Sequence, residues 1–227
     1  MRTTRRKMLG MSLALGVTAS LKAETQASGQ IELTKPQQVQ LPKPQIDGGK
    51  PLMQALSERK STRAYKPQKL PDQVLSNLLW AAWGTNRPDG KRTAPSAMNR
   101  QEIDVYVVLA EGAYVYDAKA HALNPVAAGD LRAQAGAQPF VKEAPLNLVY
   151  VADTAKMTGG SEQDKPIWYG AAAGFISQNA YLYCASEGLA TVVRGLVDRP
   201  ALAKLMKLTS DQQVILAQSV GYPGATT

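Results

Sequence analysis

The chain has 227 residues and a formal net charge of +8, long enough for one domain with a sizeable core. Five basic residues (Arg2, Arg5, Arg6, Lys7 and Lys22) crowd a start that contains no acidic residue, so only about +3 belongs to the remainder, a surplus too small to argue for a nucleic-acid partner. One cysteine, Cys184, excludes an intramolecular disulfide, and one histidine, His121, excludes multi-histidine metal centres and leaves a single base for any Ser–His or Cys–His pair.

The first segment, Thr3-Thr4-Arg5-Arg6-Lys7-Met8-Leu9, sets two arginines before an apolar run, Met8 to Ala19, that is too short to anchor in a bilayer. Val17-Thr18-Ala19 or Leu21-Lys22-Ala23 offers a cleavage site. The pattern resembles the twin-arginine signal that exports folded proteins, often with a cofactor already inserted. It implies that residues 1–23 are removed, that the product is periplasmic or otherwise exported from a bacterial cell, and that no membrane span is left. Residues 24–50, rich in Gln, Pro, Lys and Gly, read as an extended arm before a domain over residues 51–227.

Pro51 to Lys60 reads as a short helix. Pro71 suits the start of a second, with Val74, Leu75, Leu78, Leu79, Ala82 and Trp83 at helical spacing and Gly84 as its stop. Thr85 to Gln101 is a polar loop. Ile103 to Leu109 alternates as a strand and pairs across Glu111-Gly112 with Ala113 to Asp117. Asp117 to Asn124 reads as a polar turn that puts His121 on the surface, and Leu123 to Gly136 reads as a helix. Leu146 to Ala152 is nearly continuously apolar, as a central strand should be. Trp168 to Ser186 is a long helix for the core or a subunit interface, capped by Gly188, with Cys184 expected as a buried thiol. Ala190 to Val193 is a short strand, Arg199 to Lys207 a helix, and Val214 to Val220 a last strand. The sum is an α+β fold, one mainly antiparallel sheet flanked by helices.

Two segments carry candidate chemistry. Arg59, Lys60 and Arg63 lie within five positions together with Ser61 and Thr62, and guanidinium forks with hydroxyl donors suit a phosphate group. Pro95, Ser96, Asn99 and Gln101 lie in an irregular loop that runs into the Ile103 strand. Side-chain amides there offer both donors and acceptors, which suits the edge of a heteroaromatic ring.

Arg59-x-Ser61-x-Arg63, Pro95-Ser96-x-x-Asn99-x-Gln101, Gly188-Leu189, Gly195 and Gly221-Tyr222-Pro223, in that order, resemble the pattern of the nitroreductase family of FMN enzymes. The resemblance runs from Pro51 to Pro223. It implies a homodimeric nitroreductase-like fold with the Trp168–Ser186 helix at the interface. It implies that Arg59, Lys60, Ser61 and Arg63 hold the ribityl phosphate and flavin edge. Pro95, Ser96, Asn99 and Gln101 would reach FMN from the partner subunit, and the backbone of Arg194 and Gly195 would lie near flavin N5. No side chain need act as catalytic acid, base or nucleophile, and no metal is implied. The activity implied is ping-pong hydride transfer to or from a small nitroaromatic or quinone-like substrate. Branches with azoline-oxidising or dehalogenating chemistry, and a non-catalytic flavin-binding relative, stay open. So does the electron donor, which is NAD(P)H, a quinol or a redox protein.

The sequence departs from the family in two places. Arg194 stands where an acidic residue is common, so a positive charge is expected beside the flavin. No basic residue follows Lys207, so Lys60, Lys91 or Arg92 is expected to replace a C-terminal basic pair at the phosphate. Segments 119–136 and 154–164 are expected as lids, with Tyr114, Phe140 and Trp168 as stacking partners.

Overall fold

The computed structural model describes residues 37–225; the expected signal segment and the first part of the arm lie outside them. Seven strands form one sheet: β1 (Val39–Gln40), β2 (Ile103–Val108), β3 (Gly112–Asp117), β4 (Ala122–Ala128), β5 (Leu146–Asp153), β6 (Ala190–Arg194) and β7 (Gln212–Gly221). Their order is β1-β4-β3-β2-β5-β7-β6, and neighbours pair antiparallel throughout. The helices are α1 (Leu52–Glu58), α2 (Asp72–Trp83), α3 (Phe140–Glu143), α4 (Asp164–Glu187) and α5 (Arg199–Leu205).

Helices cover both faces of the sheet, which explains the nearly continuous apolar run of β5. Leu146, Leu148 and Tyr150 meet Leu78 and Leu79 of α2 and Ile176 and Ala180 of α4. Val149 and Val151 face the other way, onto Val141 of α3 and Leu202 of α5. Pro71 caps α2 at its start, Gly84 at its end, and Leu75, Leu78, Leu79, Ala82 and Trp83 form the buried stripe that the spacing predicts. In α4 only one face is covered, by Tyr169, Ala172, Ala173, Ile176, Ala180, Tyr181 and Cys184. The helix stops at Gly188, whose φ of 68° and ψ of 25° are left-handed, a conformation that a Cβ opposes. Burial pushes the Cys184 thiol up and keeps it protonated, as expected of a structural cysteine. No helix among the described residues is long and apolar enough to cross a membrane.

Residues 123–136 are not a helix. They form β4 and a single 3-10 turn, Arg132–Ala135. Pro125 would break a helix interior, but it is tolerated opposite Tyr114 because β1 covers only Leu123 and Ala122 of that edge. An irregularity in the pairing between Ala113 and Tyr114 upsets the strict alternation that would have marked the strand.

The arm crosses α2 before it reaches α4. Ser76 Oγ donates to Pro42 O at 2.6 Å, Gln45 N to Asn77 Oδ1 at 2.8 Å, and Lys50 N to Ser186 Oγ at 2.7 Å. His121 belongs to this clamp and is half-buried, not the surface residue expected. Its Nε2 lies 2.7 Å from Ser76 Oγ and its Nδ1 2.9 Å from the Tyr116 hydroxyl. The Ser76 proton goes to Pro42 O, so Nε2–H donates to Ser76 and bare Nδ1 accepts from Tyr116. Burial lowers the His121 pKa below its ordinary value. The unfolded chain, with a histidine pKa of about 6.5, then binds the proton first as pH falls. Stability should be full above about pH 6.5 and decline below it, and thermal melts of wild type and His121→Gln from neutral to acidic pH should show a shallower decline in the variant.

Candidate cofactor groove

The edge of β6 is closed by the residues after α1. Arg59 ends that helix in an extended conformation, with its N–H still bonded to Ala55 O at 2.9 Å. The chain then runs beside the sheet, with Thr62 N donating to Thr191 O at 2.9 Å, Lys66 N to Tyr222 O at 2.9 Å, and Gly224 N to Ala64 O at 3.0 Å. A Cβ on Gly224 would sit 3.0 Å from Tyr65 backbone atoms, so glycine there permits the close approach.

This arrangement opens a groove of about 910 Å³, lined by Lys50, Glu58, Lys60 to Ala64, Tyr181, Ala185, Gly188 to Thr191, Pro223 and Gly224. Among the described residues Lys60 and Arg63 make no ion pair, and both are exposed to the groove. Lys50 is paired with Glu58 at 2.5 Å, and the hydrogen bonds that Lys50 and Gln54 donate hold the Glu58 carboxyl below the ordinary carboxylate range. Ser61 Oγ lies 2.8 Å from the Tyr181 hydroxyl, which also accepts Val193 N–H at 2.8 Å.

Of the first candidate cluster, Lys60, Ser61 and Arg63 therefore meet in one groove. Arg59 does not line it, because its guanidinium stacks over the Tyr181 ring, 5.3 Å from the centroid. Lys50 and Tyr181 complete the wall and were not anticipated. Lys50 is the last residue of a featureless arm, and Tyr181 reads in sequence only as one more apolar position of α4.

The second cluster lies elsewhere in the protomer. Pro95, Ser96, Asn99 and Gln101 line no part of the groove. Their polar atoms hold their own loop: Ser96 Oγ accepts Gln101 N at 2.9 Å, Asn99 Oδ1 accepts Gln101 Nε2 at 3.1 Å, and Gln101 Oε1 accepts Arg92 Nε at 2.7 Å. Met98, Asn99 and Gln101 all have left-handed φ, between 51° and 54°, a cost that a site-building loop can carry. Lys91 is taken by Asp89 at 2.7 Å, and Arg92 stacks on Trp83 at 5.3 Å, so neither joins Lys60 in the groove. Lys50 lines the groove beside Lys60.

Arg194 departs from expectation in its direction. The side chain turns inward and is 5% exposed, its Nη1 donating to Ala135 O at 3.0 Å and its Nη2 to Asn147 Oδ1 at 3.2 Å. Among the described residues its Nε has no partner and no carboxylate pairs with it, and burial brings its pKa down to about 10. Gly195 is exposed at the strand end and, like Arg194, does not line the groove. The expected stacking aromatics are also placed otherwise: Tyr114 is in the core, Phe140 packs on Tyr65 at 6.2 Å, and Trp168 lies under Arg100 at 5.3 Å. The first expected lid is largely strand β4; the second, a turn with Gly159 and Gly160 at positive φ, is tied to Arg100 through Thr158 O.

Comparison with known proteins bears on the fold and the motifs together. The model of the nitroreductase family matches residues 56–222. A crystal structure from Ralstonia eutropha JMP134, of a protein provisionally named a nitroreductase, is 46% identical, covers 85% of this chain and 92% of its own, and superposes with a TM-score of 0.81. A Methanocaldococcus jannaschii protein, also provisionally named a nitroreductase, is 28% identical over 69% of this chain and 84% of its own. A chain of the E. coli microcin synthetase McbBCD complex, at 21% identity and a TM-score of 0.66 over 74% of this chain and 70% of its own, shares the fold. The chain belongs to the nitroreductase family, and its fold and oxidoreductase class are those of that family.

Proposed function

We propose that the protein is an exported, FMN-dependent oxidoreductase that works as a homodimer. The observation that carries the cofactor is the groove itself: Lys60 and Arg63, without an acidic partner among the described residues, with the hydroxyls of Ser61 and Thr62, in a space of about 910 Å³. That donor set fits a phosphate monoester at one end and leaves room for a ring system. Lys60 and Arg63 would hold the phosphate, Ser61 would donate to the ligand, and Lys50 would add charge on release from Glu58. FMN, when bound, supplies hydride transfer at N5, taking from a donor and giving to a small nitroaromatic or quinone-like acceptor in ping-pong order. The surrounding residues would orient the ring and limit water.

The dimer is supported by apolar surface that one protomer leaves uncovered. Ile167 and Phe175 on α4 are 67% and 48% exposed, and Leu52, Met53 and Leu56 of α1 are exposed as well. In a dimer the strained 95–101 loop is the segment we assign to the partner's flavin. Export rests on the Arg5-Arg6 pair and the apolar run after it. Outside the cytoplasm a quinol, a redox protein or the substrate itself is the donor we favour over NAD(P)H.

The test is an absorbance spectrum of the purified protein, with release and identification of any chromophore. FMN at about one per subunit is expected. A colourless protein that takes up no added FMN would sink the reading. Sedimentation should give a dimer, and Phe175→Lys should shift it toward monomer.

A further inference from the structure

The geometry points to Tyr181 as a positioning residue that sets the polarity of the groove's hydroxyl donor; this rests on the cofactor reading above. The phenol is 6% exposed and sits between three elements. Its oxygen accepts the Val193 N–H at 2.8 Å, an amide on the outer edge of β6 that pairs with no strand among the described residues. The same oxygen lies 2.8 Å from Ser61 Oγ. Arg59 stacks on the ring at 5.3 Å and fixes its plane.

The direction of the Tyr181–Ser61 bond follows from proton counting. A buried phenol carries one proton and needs an acceptor for it. Among the described residues the acceptor within reach is Ser61 Oγ. Tyr181 therefore donates to Ser61, and the Ser61 O–H is left to point into the groove. There it meets a phosphate oxygen or a flavin carbonyl as a donor. Without Tyr181 the serine proton is free to turn to other acceptors, and the Val193 amide, two residues before Gly195, loses its anchor. Tyr181 thus links the phosphate segment to the strand that leads to the assigned N5 position.

The experiment is a double-mutant cycle on FMN affinity, read by quenching of flavin fluorescence in the full mature protein. Tyr181→Phe and Ser61→Ala should each weaken FMN about fivefold, the effect of one neutral hydrogen bond. The double variant should be no weaker than Ser61→Ala alone, because Tyr181 acts on the ligand through the Ser61 hydroxyl, which that variant has already removed. A merely structural tyrosine would lower the melting temperature and give additive losses. Additive losses, or an unchanged Tyr181→Phe affinity in a protein whose wild type binds FMN, overturn the proposal and leave the cofactor reading intact. A wild type that binds no FMN overturns both. Should Tyr181→Phe fail to fold, Ser61→Cys leaves Tyr181 in place and exchanges the hydroxyl for a weak S–H donor; FMN affinity should fall as for Ser61→Ala, and an unchanged affinity would equally overturn the proposal.

Discussion

Reversing both free cations of the groove, Lys60→Glu with Arg63→Glu, should weaken FMN binding roughly a hundredfold to ten-thousandfold while leaving riboflavin, which lacks the phosphate, much less affected. Each charged hydrogen bond to a phosphate is worth about 1.5–3 kcal/mol, and a factor of ten in affinity is about 1.4 kcal/mol. The fold should survive, because both side chains are exposed and bond to nothing else among the described residues. Melting temperature should therefore move little in the apoprotein. Binding to wild type should also weaken with added salt, and the reversed variant should lose that dependence. Equal losses for FMN and riboflavin would place the phosphate elsewhere. Lys50→Met should then show whether the arm's cation shares the load: a smaller loss is expected, since Lys50 must first give up Glu58.

Most of the fold was legible because it rests on periodicity. The stripe of α2, the apolar β5 and the glycine stop of α4 state their environments in the residues themselves. Residues 122–128 do not. Leu123, Val126 and Ala127 fit a helix, and it is pairing with β3, decided by tertiary contact, that makes them a strand. His121 looked polar and exposed, and only the arm crossing α2 encloses it.

The site divides the same way. Arg59, Lys60, Ser61 and Arg63 stood out as a cluster of cations and hydroxyls, but a charged cluster is most often a solvated face, and it was the order of the motifs along the chain that gave this one weight. Neither separated Arg59 from Arg63, because that depends on where α1 stops and on a ring from α4. Lys50 is brought in by the path of the arm, which no local pattern encodes.

Arg194→Glu isolates what sequence pattern cannot decide. The resemblance makes an acidic residue the familiar one at this position, so the substitution looks like a return to type. The structure says the opposite. Arg194 reaches Ala135 O and Asn147 Oδ1, both acceptors, and Asn147 Oδ1 is already satisfied by Ser219 Oγ at 2.6 Å. Gly136 makes the room, because a Cβ there would meet Nη1 at 2.0 Å. A carboxylate in that slot would meet the two oxygens that Arg194 now donates to, acceptors both. Burying a charge unpaired costs about 3–5 kcal/mol, which in a chain of this size lowers the melting temperature by roughly 10 °C. Arg194→Met should cost less, since it removes a buried charge and leaves Ala135 O short of one bond. Thermal melts of the two variants should rank Met above Glu. The reverse ranking would mean that residue 194 faces the flavin after all, where a carboxylate has a role.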